Sequence, residues 1–141
     1  MRYYEAYIDV QSDPDAVWAV LIDAHGLGTW DSGIDRVEGR IAPGERITVH
    51  ASLTPGRTLP VKVTEFSPPT RMVWSGGMPL GLFRGVRTFT VSQRPNGVSR
   101  ITVREEYTGA LLGMMWRSMP DLGPSFEQFV RGLKKKVEAK S

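Results

Sequence analysis

The chain has 141 residues, no cysteine and a formal net charge of +3. That length suits one domain spanning residues 1–141 with a core of its own, and the missing cysteines exclude disulfides and thiol-based metal or nucleophile chemistry. The positive charge alone would invite nucleic acid. Its one dense run, Lys134-Lys135-Lys136, falls instead on a late amphipathic stretch and reads as a solvated helix end, so no nucleic-acid partner is expected.

Residues 3–11 alternate, with Tyr4, Ala6, Ile8 and Val10 on one face and Glu5, Asp9 and Gln11 on the other, which predicts a half-buried strand. This polar start lacks the apolar segment of a signal peptide. No apolar run approaches the ~20 residues of a transmembrane helix. A reducing cytoplasm fits these features. A short helix is expected over 14–23, capped by Ser12 or Asp13, with Pro14 in the first turn and Val17, Val20 and Leu21 inward. A second helical turn is expected around 25–31, carrying Trp30.

Six strands are expected next, near 34–39, 45–53, 59–67, 70–75, 84–94 and 98–109, separated mostly by turn residues such as Pro43-Gly44, Pro55-Gly56, Pro68-Pro69 and Pro95-Asn96-Gly97. The last of these turns is the most informative. A three-residue loop with Gly97 in the left-handed region sets Val91 opposite Ile101, Phe89 opposite Val103 and Arg87 opposite Glu105, with Tyr107 on the same face. A one-residue slip would reverse the faces. A charged pair on an apolar face is either solvated near a sheet end or a polar anchor inside a pocket.

The chain ends in a helical pattern of Met119, Leu122, Phe126, Phe129, Val130, Leu133 and Val137, with Asp121 as its N-cap. An earlier helical piece over 111–116 would break at Pro120. Grouped strands with segregated helices imply α+β, an antiparallel meander whose face is covered by the last helix.

Several segments in this order carry a resemblance. They are Ser12-Asp13-Pro14-Asp15-Ala16-Val17-Trp18, Trp30-Asp31, the run Glu65-Phe66-Ser67-Pro68-Pro69-Thr70-Arg71-Met72-Val73-Trp74, Asn96-Gly97, and Glu105, Tyr107 and Gly109 before the last helix. Together they resemble START-like domains, the helix-grip (SRPBCC) superfamily that includes the birch pollen allergen and bacterial polyketide cyclase/dehydrase-like proteins. The resemblance implies a seven-stranded curved sheet gripping the C-terminal helix, two short helices after the first strand, and a ligand cavity between sheet and helix. Its members span lipid carriers, hormone receptors, aromatase/cyclases and stress-response regulators, so fold alone does not choose a function.

No catalytic constellation is visible. His25 and His50 have no ligand spacing around them, so neither a metal nor a cofactor is expected. What stands out is the load of large apolar groups near the expected cavity: Trp30, Met72, Trp74, Met78, Phe83, Phe89, Trp116, Met119, Phe126 and Phe129. Each is core or pocket lining, with Arg87, Glu105 and Tyr107 as candidate polar anchors or catalytic groups. The glycine-rich, apolar segment 75–83 reads as a lid, a packed hairpin loop or a contact with a second copy in a homodimer. Three functions follow. The chain binds a small hydrophobic or aromatic ligand such as a lipid or polyketide; or it is an aromatase/cyclase or dehydratase-type enzyme; or it is an interaction protein whose own side chains fill the cavity.

Overall fold

The computed structural model describes residues 1–139. Alternation makes the first strand β1, Arg2–Val10, with Ala6 and Val10 buried. Helix α1, Pro14–Leu21, follows; the Asp13 carboxylate accepts from the Ala16 amide at 2.9 Å, so Asp13 is the cap. A 3-10 turn at Gly26–Gly28 leads into six strands: β2 Ile34–Glu38, β3 Arg46–Ala51, β4 Leu59–Ser67, β5 Arg71–Gly77, β6 Arg84–Arg94 and β7 Val98–Thr108. Two helices end the description, α2 Leu112–Ser118 and α3 Gly123–Ala139.

The strands form one antiparallel sheet in the order β1-β7-β6-β5-β4-β3-β2. Neighbours in sequence are neighbours in space from β2 to β7, and β1 adds outside β7. Register shifts between Ile34 and Arg36 and between Val63 and Glu65 insert extra residues into β2 and β4. Such bulges bend a sheet and deepen its twist. Helix α3 lies on the concave face, burying Phe126, Phe129, Val130, Leu133 and Val137. Its Gly132 is there for space: a Cβ at that position would collide with the Asp31 carbonyl. α3 also guards the outer edge of β1. Lys134 donates to the Asp9 carbonyl at 3.1 Å, and the Gln11 amide donates to Glu138 at 2.9 Å.

The α+β helix-grip architecture expected from the sequence is present. The β6–β7 loop has Asn96 and Gly97 at φ 64° and 73°, and it sets Val91, Phe89 and Arg87 opposite Ile101, Val103 and Glu105. Some boundaries differ. The first helix stops at Leu21 rather than residue 23. The turn expected over 25–31 is a single 3-10 turn, and Trp30 lies beyond it. Met119 was expected on the last helical stripe; it lies in the extended link between α2 and α3, because Pro120 ends the pattern there. Asp121 still caps α3 from just outside, accepting from the Gly123 amide at 2.9 Å.

Candidate functional site

Cross-strand register assembles the site in rows across the concave face. One row runs Met72, Phe89, Val103, Ala6. The next runs Trp74, Arg87, Glu105, Tyr4, and the one after it Gly76, Gly85, Tyr107, Arg2. All twelve residues therefore share one face, and the last two rows lie toward α2.

The deeper part of this face is solid. Met72 and Phe89 are 0% and 1% exposed. The Trp74 and Phe89 rings sit 4.7 Å apart, Phe89 and Phe129 6.0 Å, and Trp30 and Phe129 5.5 Å. Trp18 and Phe66 close another side at 5.4 Å. The rings of Trp30, Trp74, Phe89 and Phe129 thus meet one another in the region where a ligand cavity was expected. The reason is volume: a curved sheet leaves room above its centre, and aromatic rings are large enough to fill it.

The part nearer α2 has a different chemistry. Arg87 Nε donates to Glu105 at 2.8 Å, and the two side chains are 23% and 18% exposed. The pair is thus half-buried rather than freely solvated. The guanidinium also lies 4.8 Å from the centre of the Phe126 ring, a cation–π contact. Around it stand four more aromatic rings. Tyr4 stacks on Trp116 at 5.3 Å, Trp116 meets Tyr107 at 5.7 Å, and Phe83 stacks on Tyr107 at 6.1 Å. Gly85 leaves room here: a Cβ on it would just touch the Glu105 carboxylate and the Tyr107 ring, at 3.5 and 3.6 Å.

Two donors in this region have no acceptor. The Tyr107 hydroxyl and Trp74 Nε1 are buried without a hydrogen-bond partner, although such groups are almost always paired. Burial pushes the Tyr107 phenol well above its ordinary value of 10.0, and the Glu105 charge pushes it further. That carboxylate lies beside the phenol and raises it through its charge and a hydrogen-bonding interaction, although the two groups are outside the geometry of a formed hydrogen bond. The phenol therefore stays protonated across the physiological range, a neutral donor facing an apolar surrounding.

The sequence-derived residues thus fall into three sets. Arg87, Glu105, Tyr107, Phe83, Trp116 and Phe126 meet at the α2 end. Trp30, Met72, Phe89 and Phe129 pack the deeper part, and Trp74 joins the two, standing in the row of Arg87 with its ring against Phe89. Met78 and Met119 join neither: Met78 is 39% exposed in the β5–β6 loop, and Met119 belongs to the α2–α3 link. The β5–β6 loop expected as a lid sends only Phe83 inward; Leu80 at its tip is 96% exposed. Tyr4 was missed as a site residue. Its strand alternation was legible, but its place beside Glu105 depends on the distant β1–β7 pairing. The histidines are remote: His50 bonds Glu38 at 2.9 Å in the β2–β3 hairpin.

A family profile described as polyketide cyclase/dehydrase and lipid transport matches residues 1–138. No curated protein sequence matches the chain significantly. Among solved structures, a hypothetical protein from Helicobacter pylori has 16% identity and a TM-score of 0.79, over 96% of this chain and 88% of that one. The Zhui aromatase/cyclase from Streptomyces sp. R1128 has 13% identity and a TM-score of 0.76, over 99% and 94%. A START superfamily protein from Mycobacterium smegmatis has 11% identity and a TM-score of 0.73, over 99% of both chains. At these identities the likeness shows a shared fold.

Proposed function

This chain belongs to the polyketide cyclase/dehydrase and lipid transport family, and from that membership we propose that it binds a small, largely apolar molecule bearing a carbonyl or carboxylate between Tyr4, Arg87, Tyr107 and Trp116. The observation that carries this reading is the pair of buried donors without acceptors, the Tyr107 hydroxyl and Trp74 Nε1, beside the half-buried Arg87. An unsatisfied buried donor costs about 1–3 kcal/mol. A ligand oxygen placed among these donors would remove that cost, while the surrounding rings would take up its apolar body. Arg87, Trp74 and the Tyr107 hydroxyl supply donors, and Arg87 already engages the Glu105 carboxylate, so the matching ligand group is an acceptor oxygen.

Entry needs movement, because the rings touch. Helix α2 is the element suited to it. It has no buried residue and no side-chain cap at its start, and Trp116, with its contacts to Tyr4, Tyr107 and Arg2, is what holds it on the site. Trp116 would leave with it and expose Tyr4 and Tyr107. Binding would then draw on an open state that is only partly populated, which lowers the apparent affinity by that fraction.

The test is a titration of the protein with fatty acids, aromatic ketones and hydrocarbons of matched size, read by tryptophan fluorescence. Carbonyl-bearing compounds should bind, and Tyr107→Phe should weaken them by about tenfold, the worth of one hydrogen bond. The hydrocarbons should be indifferent to that change. Gly85→Leu should block all binding by filling the niche between Glu105 and Tyr107. A panel that leaves both fluorescence and Tm unmoved would sink the proposal.

A second reading, turnover of a polyketide-like ketone, rests on the same phenol. A protonated Tyr107 beside the fixed charge of Arg87 is suited to stabilise an enolate oxygen. Glu105 is engaged by Arg87, which favours an anchoring role over proton transfer. If Glu105 moved the proton, Glu105→Gln would abolish turnover of a bound ketone; retained turnover would remove it from that role.

A further inference from the structure

The two ends of the sheet are unlike in a way the ligand site does not require. Six large apolar side chains stand exposed at the end near α2: Leu53, Leu59, Met78, Leu80, Leu82 and Met114. They sit at the β3–β4 loop, the start of β4, the β5–β6 loop and α2. At the other end the turns at 11–13, 39–45, 68–70 and 95–97 expose no large apolar residue. Two of the apolar segments are tied together: the Leu111 amide donates to the Leu82 carbonyl at 2.9 Å. A Cβ at Gly109 would collide with that same carbonyl, so the β7–α2 turn and the β5–β6 loop hold a fixed relation.

Leu80 is the sharpest feature. It is 96% exposed and has φ 62°. Left-handed backbone is unfavourable for leucine and easy for glycine or asparagine. A residue that is both strained and fully in water is not explained by folding, and such outliers gather at functional points.

Cations surround these side chains. Arg57, Lys62, Arg84 and Arg117 form no ion pair among the described residues. Lys62 and Arg84 also face a cleft of about 230 Å³ on the outer side of β4–β6, shared with Thr64, Ser75, Met78 and the glycines at the end of β5 and in the β5–β6 loop. No carboxylate lines that cleft. Two hydroxyls and two free cations around a small recess suit a phosphate group.

We propose that this end of the molecule docks on an anionic lipid surface, with Leu80 and its neighbours entering the boundary between headgroups and chains and Lys62 and Arg84 engaging lipid phosphate. The apolar residues are single side chains on separate loops with cations between them. That arrangement suits a fluid, charged interface better than the contiguous flat patch of a protein partner. The proposal does not rest on the ligand site: vesicle binding by a protein with a blank ligand titration would leave it standing.

The experiment is co-sedimentation of the chain with vesicles of phosphatidylcholine alone and of phosphatidylcholine mixed with phosphatidylglycerol, at low and high salt. Binding is expected to the mixed vesicles at low salt. Leu80→Asn, which suits the left-handed backbone, should keep the Tm and lower binding about tenfold, the worth of one buried leucine. Lys62→Glu with Arg84→Glu should lower it about 25-fold or more, from roughly fivefold per cation. Absence of binding by the wild type, or binding that both variants retain, overturns the proposal. So does a dimer in solution that Leu80→Asn dissociates, which would assign this end to a second copy of the chain.

Discussion

The deeper and the α2-proximal halves of the concave face use the same strands and both carry large aromatic rings, yet they are finished differently. The row through Met72, Phe89 and Val103 is apolar and closed, with each of the three 0–2% exposed. Its neighbours through Arg87 and Tyr107 hold an ion pair, two buried donors without acceptors and a glycine where a side chain could stand. Moving one or two residues along a strand therefore passes from apolar packing, in which Trp18 Nε1 is also buried without a partner, to a region that adds charge and a phenol to its unsatisfied donors. Consistency across levels marks the structural part of a fold, and local violations mark the part that does something else.

The largest way to test that division is to damage the closed half. Phe89→Ala removes the ring that meets both Trp74 and Phe129; it should cost about 3–5 kcal/mol, read by urea denaturation. A loss under about 1 kcal/mol would mean that the deeper half collapses as readily as the other.

An intermediate effect is expected at the ion pair. Glu105→Gln or Arg87→Met leaves one half-buried charge without its partner and should cost about 2–3 kcal/mol. The double substitution Arg87→Met with Glu105→Leu should recover most of that loss in stability while abolishing ligand binding. Recovery of both would show that the pair is structural only.

The smallest effect at neutral pH belongs to Tyr107. Replacing it with phenylalanine deletes an orphaned hydroxyl and should raise stability by about 1 kcal/mol, the lower end of what a buried donor without a partner costs. In alkali the two proteins should part. The native phenol binds its proton more tightly than the unfolded one, whose value is near 10.0. Below that pH both states are protonated and nothing changes. Above it the unfolded chain loses the proton first, so native stability falls as pH rises. Tyr107→Phe should flatten this alkaline loss; identical profiles would place the phenol in water.

Much of this comparison was legible in the sequence, because much of it is local. The Pro95-Asn96-Gly97 loop sets the β6–β7 register, and register alone places Arg87 against Glu105 and Tyr107 on their face. What the sequence did not disclose depends on distance or on volume. Tyr4 reaches Glu105 through a pairing between strands at opposite ends of the chain. Whether Trp74, Phe89 and Phe129 line a space or fill it depends on how far the sheet curls over α3, which the bulges in β2 and β4 help set. The contrast between the two ends of the sheet was also hidden, since exposed leucines read as ordinary core candidates until their loops are placed in space.

The position of β1 has a consequence for how the molecule is made. Strands β2 to β7 can zip in the order of synthesis, each onto the one before it. β1 must wait for β7, since Arg2 pairs with Tyr107 and Val10 with Ser99. Contacts so far apart in sequence close slowly, and a waiting strand keeps its apolar face in solvent meanwhile. On the ribosome, Tyr4 joins Glu105 and Trp116 only after nearly the whole chain has emerged. The ligand-facing surface is therefore among the last parts to form, and a translation product truncated before β7 would carry β1 as an unpaired, aggregation-prone strand.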